Sequence, residues 1–471
     1  MRVSLNLTGG DYQHKSRDLS KQVTRNFWPQ IQQPNQKARS PYVLVPFYGL
    51  KPFVTRSGGA DRGMFVNQGI LYKVSGTSLF TVASDGTHTD RGTIPGSGRC
   101  IFAAVGSQVV ITNGAGLVYI WNGTTLVQNT SPNLGTPNSV AVLNSQAIYD
   151  AGTGQGFDVS DVGLPGTING LNNASAESNS DDLLRVYTYR DTLYLMGRET
   201  IELWWNSGTG NPPFDKIQGG VLNIGVGAIH SVAETPDYVF ILGSDNQVHS
   251  ITGGTSAVSV PISTPELTAI IAKYTNKSDA IGFTFQLQGQ WFYKLTFPTE
   301  NITWVYPVGG EWFQWGAGTQ GRAIANSSVT VFGKVLVADY ASANIYELAS
   351  ETYTDNGNAI IRTRDSAVIH SEIFGVPNKE FELVSMELNL ETGVGLVSGQ
   401  GSDPLIAISF SKDNGKTFGT ERFLRCGKLG ERVTVMTTGL GRYKNLVIRL
   451  RVSDPIYWAI FSASIDMDIC I

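Results

Sequence analysis

Charge is scarce in this sequence: Asp, Glu, Lys and Arg make up 16% of 471 residues, against about 25% in ordinary soluble domains. The net charge of −4 offers no global attraction to nucleic acid or to an anionic membrane, so any contact with DNA has to be local. Cysteine is rarer still. Cys100, Cys426 and Cys470 are far apart and odd in number, with no CxxC or Cys/His grouping, which argues against a disulfide framework and a zinc site. The histidines, His14, His88, His230, His249 and His370, are dispersed without HExxH or other ligand spacing, so no metal and no cofactor is expected. His249 reads as a half-buried strand residue rather than a base. No stretch approaches 18 apolar residues, so no membrane insertion is expected. The start MRVSLNLTGGDYQ has neither the basic nor the apolar region of a signal peptide; the expectation is a chain made and kept in a cytoplasm, or released by lysis.

Glycine is plentiful, at 53 residues, and 471 residues exceed what one hydrophobic core usually serves. Short apolar runs ending in a polar turn recur, each followed by a second run. Leu71-Tyr-Lys-Val precedes Leu79-Phe, Val109-Val-Ile precedes Val118-Tyr-Ile-Trp, and Leu193-Tyr-Leu-Met-Gly precedes Ile201-Glu-Leu-Trp-Trp. Val239-Phe-Ile-Leu-Gly, Val335-Leu-Val-Ala-Asp and the less regular Ala147-Ile-Tyr and Phe292-Tyr-Lys-Leu continue the series. The starts at 71, 109, 147, 193, 239, 292 and 335 are spaced as propeller blades of ~40 to 50 residues are. Runs rich in Val, Ile, Tyr and Trp without a 3.6 period exclude a helical solenoid. The fold class is therefore all-β: a β-propeller-like array of six or seven blades over residues 45–350, whose closure can borrow a strand from elsewhere in the chain.

From 351 to 471 the strands lengthen and alternate strictly, as in an antiparallel β-sandwich. Val384, Met386, Leu388 and Leu390 share one face; Leu446, Ile448, Leu450 and Val452 oppose Arg449 and Arg451; Ile465, Met467 and Ile469 oppose Asp466 and Asp468. Residues 1–44 read as a polar N-terminal arm or closing segment that cannot fold alone. If helical, Arg17, Lys21 and Arg25 form a basic stripe at i, i+4 and i+8. A solvated or partner-docked arm is preferred there over a DNA-contacting one.

Ser411-Lys-Asp413-Asn-Gly415-Lys-Thr417-Phe418 fits the S-x-D-x-G-x-T-[WF] hairpin called an Asp box. Asp413 bonds its own turn, Gly415 supplies positive φ, and Phe418 is expected to return into the core. Sialidases carry several such boxes in the propeller itself; this one stands alone in the C-terminal region and reads as a turn device. Carboxylates such as Glu199, Glu202 and Asp339 could be paired for glycoside hydrolysis only arbitrarily. The Gly219–Gly227 run lacks a Lys-Ser/Thr and reads as a blade connection rather than a phosphate loop. Trp204, Trp205, Trp312 and Trp315 are assigned to packing in preference to sugar or base stacking. An Asp-box glycosidase and a carbohydrate-binding tail protein stand as the alternatives to a non-enzymatic reading.

Several stretches, in order, resemble the tail hub proteins of P22-like short-tailed phages, also described as packaged-DNA stabilisation proteins. They are Asn26-Phe-Trp-Pro-Gln, Gly49-Leu-Lys-Pro-Phe, Arg62-Gly-Met-Phe-Val, Leu71-Tyr-Lys-Val-Ser-Gly-Thr-Ser-Leu-Phe, Gly96-Ser-Gly-Arg and Glu199-Thr-Ile-Glu-Leu-Trp-Trp-Asn-Ser-Gly. Ser411-Lys-Asp-Asn-Gly-Lys-Thr, Gly427-Lys-Leu-Gly-Glu-Arg and Val452-Ser-Asp-Pro-Ile complete the set. The resemblance implies a structural virion protein of the tail, made in a bacterial host and assembled as a homohexameric ring below the portal and its adaptor. There it seals packaged DNA and anchors tailspikes or fibres and the tail needle, with only incidental proximity to DNA. The polar segment through Arg25 departs from the family pattern. On the wet face of the sandwich, Arg449 and Arg451 are the expected assembly face.

Overall fold

A computed structural model describes residues 2–32, 40–318 and 321–470. Among these, six consecutive four-stranded antiparallel sheets span 61–93, 101–128, 140–175, 183–222, 233–261 and 281–314, and form blades 1 to 6. Blade 7 takes three strands from 325–349 and its fourth, Gly49–Val54, from near the N-terminus, in register from Ala349↔Gly49 to Ile345↔Val54. The array therefore has seven blades among the described residues and closes through a borrowed strand. Gly49 is required at that seam, because a Cβ there would stand 2.3 Å from the Thr354 carbonyl oxygen.

Each of the seven apolar runs forms the second strand of a blade, from Ile70–Ser75 and Gln108–Thr112 round to Lys334–Asp339. Blades pack face to face, so this strand is covered on both sides and buried over most of its length, throughout in Thr192–Gly197. Outer strands are wet; His88–Thr93 of blade 1 is exposed nearly throughout. The propeller core is accordingly a series of apolar clusters at the blade seams.

The sandwich draws on both ends of the chain. One sheet runs Phe27–Ile31, Tyr42–Pro46, Ile460–Ile469, Phe381–Leu390 and Val435–Tyr443, with Arg2–Leu5 also paired to Ile460–Ile469. The other runs Lys21–Arg25, Arg362–Asp365, Asn445–Val452, Leu405–Ser411 and Arg422–Arg425. This second sheet does not stop at its edge. A parallel bridge from Arg25 to Gln314 joins it to the outer strand of blade 6, making one continuous sheet from propeller to sandwich. Leu5, Leu7, Phe27 and Leu44 are buried with Trp458, Ile465 and Ile448 in the sandwich core.

Two expectations change. The basic helical stripe is not formed: Lys21–Arg25 is a strand paired on both sides, and its Thr24 and Arg25 are buried, because ladder bonds to partners hundreds of residues away override local preference. Val384 does not share a face with Met386. A register shift between Leu383 and Ser385 turns Val384 outward, 42% exposed, and places Leu383 in the core instead.

Candidate functional site

The continuous sheet lays the expected site residues side by side. Across its strands the register runs Gln314–Arg25–Thr363–Arg451, and two residues along it runs Val23–Asp365–Arg449–Ser409. Positions in register or two apart point to one face. That face floors a cleft of about 400 Å³, also lined by Gln13, Phe418 and Glu421. Arg449 donates from Nε and Nη2 to the two oxygens of Asp365, both at 2.7 Å, and lies 3.7 Å over the Phe418 ring. Arg451 donates to Glu421 at 2.5 Å. Both guanidinium groups are thus held in fixed positions with part of their edges open to solvent.

Arg25 differs from its neighbours. It is 7% exposed and turns inward, where Nη2 donates to the carbonyls of Gly321 at 2.8 Å and Ala317 at 3.4 Å. Gly316 makes the room, since a Cβ there would stand 2.0 Å from Arg25 Nη2. Burial lowers the Arg25 pKa. The role of Arg25 in a free, DNA-contacting or partner-docked arm is therefore corrected: its side chain is committed to the interior. Arg17 and Lys21 open instead onto a second cleft of about 440 Å³, between the hairpin strands Tyr12–Gln13 and Lys21–Arg25 and the helix Pro265–Ile271. Lys15 and Lys273 add two cations there that no motif announced. Burial first, then the Arg17 charge, lowers the Lys21 pKa.

The Asp box forms as a turn. Asp413 Oδ1 accepts from the backbone N–H of Lys416 at 3.0 Å and of Thr417 at 2.8 Å, Oδ2 accepts from the Thr417 hydroxyl at 2.6 Å, and Gly415 has φ 76°. These bonds, the Thr417 hydroxyl foremost, hold the Asp413 carboxyl well below the usual carboxylate range. Its oxygens are occupied by its own loop, which leaves nothing for acid–base work. Phe418 does not return into the core; it is half-buried because Arg449 caps it from above. The Asn414 side chain donates to Asp18, so the box touches the N-terminal hairpin and all three groups of expected residues meet at one junction.

Other candidates are scattered. Trp312 and Trp315 are buried, Trp204 is half-buried and donates to Glu202 at 3.0 Å, and Trp205 is 46% exposed. His249 is buried and bonded to Asp245 at 3.0 Å. Glu202 belongs to blade 4 and Asp339 to blade 7, so they form no pair. Sequence reasoning missed Arg364, which is 1% exposed and ties the N-terminal segment down. It donates to the carbonyls of Leu7 at 2.7 Å and Gly10 at 2.8 Å and to the side chains of Thr24 and Gln22, both at 2.5 Å. The alternation Arg362-Thr-Arg364-Asp is the one signal for it, two arginines on one face of a strand.

Family models described as bacteriophage P22 Gp10 β-propeller and bacteriophage P22 Gp10 β-sandwich match residues 3–353 and 367–468 in turn. The chain belongs to the bacteriophage P22 Gp10 family. As a Gp10-family member it is a phage structural protein and a virion component, built as a propeller followed by a sandwich. Among curated proteins none matches the chain. Solved structures resembling this Gp10-family chain include a streptogramin B lyase, with 11% identity, 64% of this chain and 98% of that one covered, and TM-score 0.44. A catalytically inactive virginiamycin B lyase from Staphylococcus aureus with quinupristin has 14% identity over 64% and 98%, TM-score 0.44. BamB from Moraxella catarrhalis has 8% identity over 70% and 98%, TM-score 0.39. Likenesses this distant carry no argument about function. Among the described residues, no helix of the Gp10-family chain is long and apolar enough to cross a membrane.

Proposed function

We propose that this chain is a tail hub of a short-tailed phage: a ring of six copies below the portal adaptor that seals packaged DNA and anchors tailspikes or fibres and the tail needle. The observation that carries this reading is the ordered match of both Gp10 models, over residues 3–353 and 367–468. The architecture supports it. A sheet continuous from blade 6 into the sandwich passes load through backbone hydrogen bonds instead of a flexible linker. Arg449 and Arg451, prealigned by Asp365 and Glu421, give a neighbouring subunit or tail protein fixed donors at little entropic cost. Nearby, Phe423 and Met436 are 62% and 49% exposed, residue types that interfaces bury.

The test is hydrodynamic. Purified chain, alone and mixed with the portal adaptor, needle and spike proteins of a short-tailed phage, is sized by analytical ultracentrifugation. Ring-sized particles and co-sedimentation are expected, and a strict monomer that binds none of them overturns the reading. One observation favours the carbohydrate-binding alternative, the exposed ring of Trp205. Binding on a glycan array that is lost in Trp205→Ala would support it.

A further inference from the structure

The cleft of about 440 Å³ between the N-terminal hairpin and the helix Pro265–Ile271 gathers four cations, Lys15, Arg17, Lys21 and Lys273, against one carboxylate, Glu266. Three pieces of chain bring them to one place. Lys15 and Arg17 stand in the turn that joins Tyr12–Gln13 to Lys21–Arg25. Lys21 opens the returning strand in register with Gln13, and Lys273 follows the helix, which packs on Tyr12–Gln13. In a chain whose net charge is −4, this cleft is a local reversal of sign.

These cations differ from the others at the junction. Arg449 and Arg451 are paired with Asp365 and Glu421, and Arg364 is covered by carbonyl oxygens. Among the described residues, no ion pair holds Lys15, Arg17, Lys21 or Lys273. The acidic residues of the hairpin are engaged elsewhere: Asp11 accepts from Gln13 at 2.8 Å and Gln314 at 2.9 Å, and Asp18 accepts from Asn414. Two groups of the cleft are nevertheless held in place. The Lys21 ammonium donates to Gln13, which is itself anchored on Asp11. His14 Nδ1 accepts from the Ser16 backbone N–H at 3.0 Å, which leaves Nε2–H as a donor. Like charges lining one cavity repel one another, and an anion among them relieves that repulsion.

The size of the cleft selects the anion. A compact space of 440 Å³ is about 8 Å across, whereas carboxylates on one face of an extended peptide stand about 7 Å apart, so few of them enter together. Phosphates linked directly to one another bring about three to four negative charges into the same span. We propose that the cleft bounded by Lys15, Arg17, Lys21 and Lys273 binds a compact polyphosphate, two or three directly linked phosphate groups such as a nucleoside di- or triphosphate carries. Arg17 supplies a planar fork for two oxygens of one phosphate, and the lysines supply compact charges for the rest. The inference stands apart from the tail-hub reading and does not depend on it.

The experiment titrates sodium tripolyphosphate into the intact chain by calorimetry at low ionic strength, alongside thermal unfolding with and without it. Saturable binding and a raised unfolding midpoint are expected. Lys15 and Lys273 are exposed and make no side-chain hydrogen bond or ion pair among the described residues, so the double variant Lys15→Gln/Lys273→Gln should fold as the parent does. It is expected to bind about tenfold more weakly. Glu266→Gln removes the carboxylate of the cleft and is expected to bind more tightly than the parent, an effect that a merely structural glutamate would not produce. Lys428→Gln, exposed on the sandwich and outside the cleft, controls for net charge and keeps the parent's affinity. A single-stranded oligonucleotide, in which a sugar separates successive phosphates, and a glutamate-rich peptide are expected to bind more weakly than tripolyphosphate at equal ionic strength. Absence of saturable binding to the intact chain overturns the proposal, as does an affinity unchanged in the double variant. Tighter binding of the oligonucleotide or of the peptide overturns it as well.

Discussion

Blades 1 to 6 of the propeller are each built from 28 to 40 consecutive residues, whereas each sheet of the sandwich takes strands from both ends of the chain, as where Arg2–Leu5 pairs with Ile460–Ile469. Local hairpins close cheaply, and every blade seam repeats the same apolar solution. The junction has no such redundancy. It depends on Lys21–Arg25 being placed between blade 6 and Arg362–Asp365, and on one buried arginine that satisfies the carbonyls of the segment arriving there. Damage to a blade should therefore stay near its seams, while damage at the junction should loosen the sandwich as a whole.

The sharpest way to break this contrast is Arg364→Met, which leaves the Leu7 and Gly10 carbonyls buried without donors. A loss of about 4 kcal/mol is expected in urea unfolding, with hydrogen exchange rising across residues 2–25 and not in blades 1 to 4. Phe47→Ala strikes where the two regions meet, since its ring contacts Phe285, Phe292, Phe313 and Trp315 at 5.0 to 6.4 Å. It should cost about 3 kcal/mol by the same measurement, with exchange rising in blades 6 and 7. Gly316→Ala forces Arg25 off its carbonyls and should cost about 2 kcal/mol, without change in blades 1 to 4.

The smallest effect is a pH dependence. Burial raises the Asp11 carboxyl to about 7, against lowering hydrogen bonds from Gln13, Thr24 and Gln314, and burial raises Asp355 to about 7 as well. The folded chain keeps protons there that the unfolded chain releases near pH 4, so these groups make stability fall as pH rises from about 4 to 7. Asp11→Asn should flatten that slope in thermal unfolding between pH 5 and 7.5. An unchanged slope would show that Asp11 is ionised in the folded chain.

The propeller was legible because its second strands are covered on both faces and so write continuous apolar runs such as Leu193-Tyr-Leu-Met into the sequence. The alternation of Leu446, Ile448, Leu450 and Val452 was legible for the complementary reason, one dry face and one wetter face. Residues 2–25 were not, because polar strands such as Lys-Gln-Val-Thr-Arg owe their shape to partners far away in sequence. Within the junction, Arg449 and Arg451 were found by alternation, yet the inward turn of Arg25 depends on Gly316, and the partial burial of Phe418 outside the core depends on Arg449.

The claim that the N-terminal strands weld propeller and sandwich into one body is tested most directly by calorimetric unfolding of the intact chain, with the same transition followed by hydrogen exchange in both regions. The account predicts a single cooperative transition in which Asn445–Val452 and the strands of blade 6 lose protection together. Two resolved transitions, with the sandwich melting while blade 6 stays protected, would contradict it.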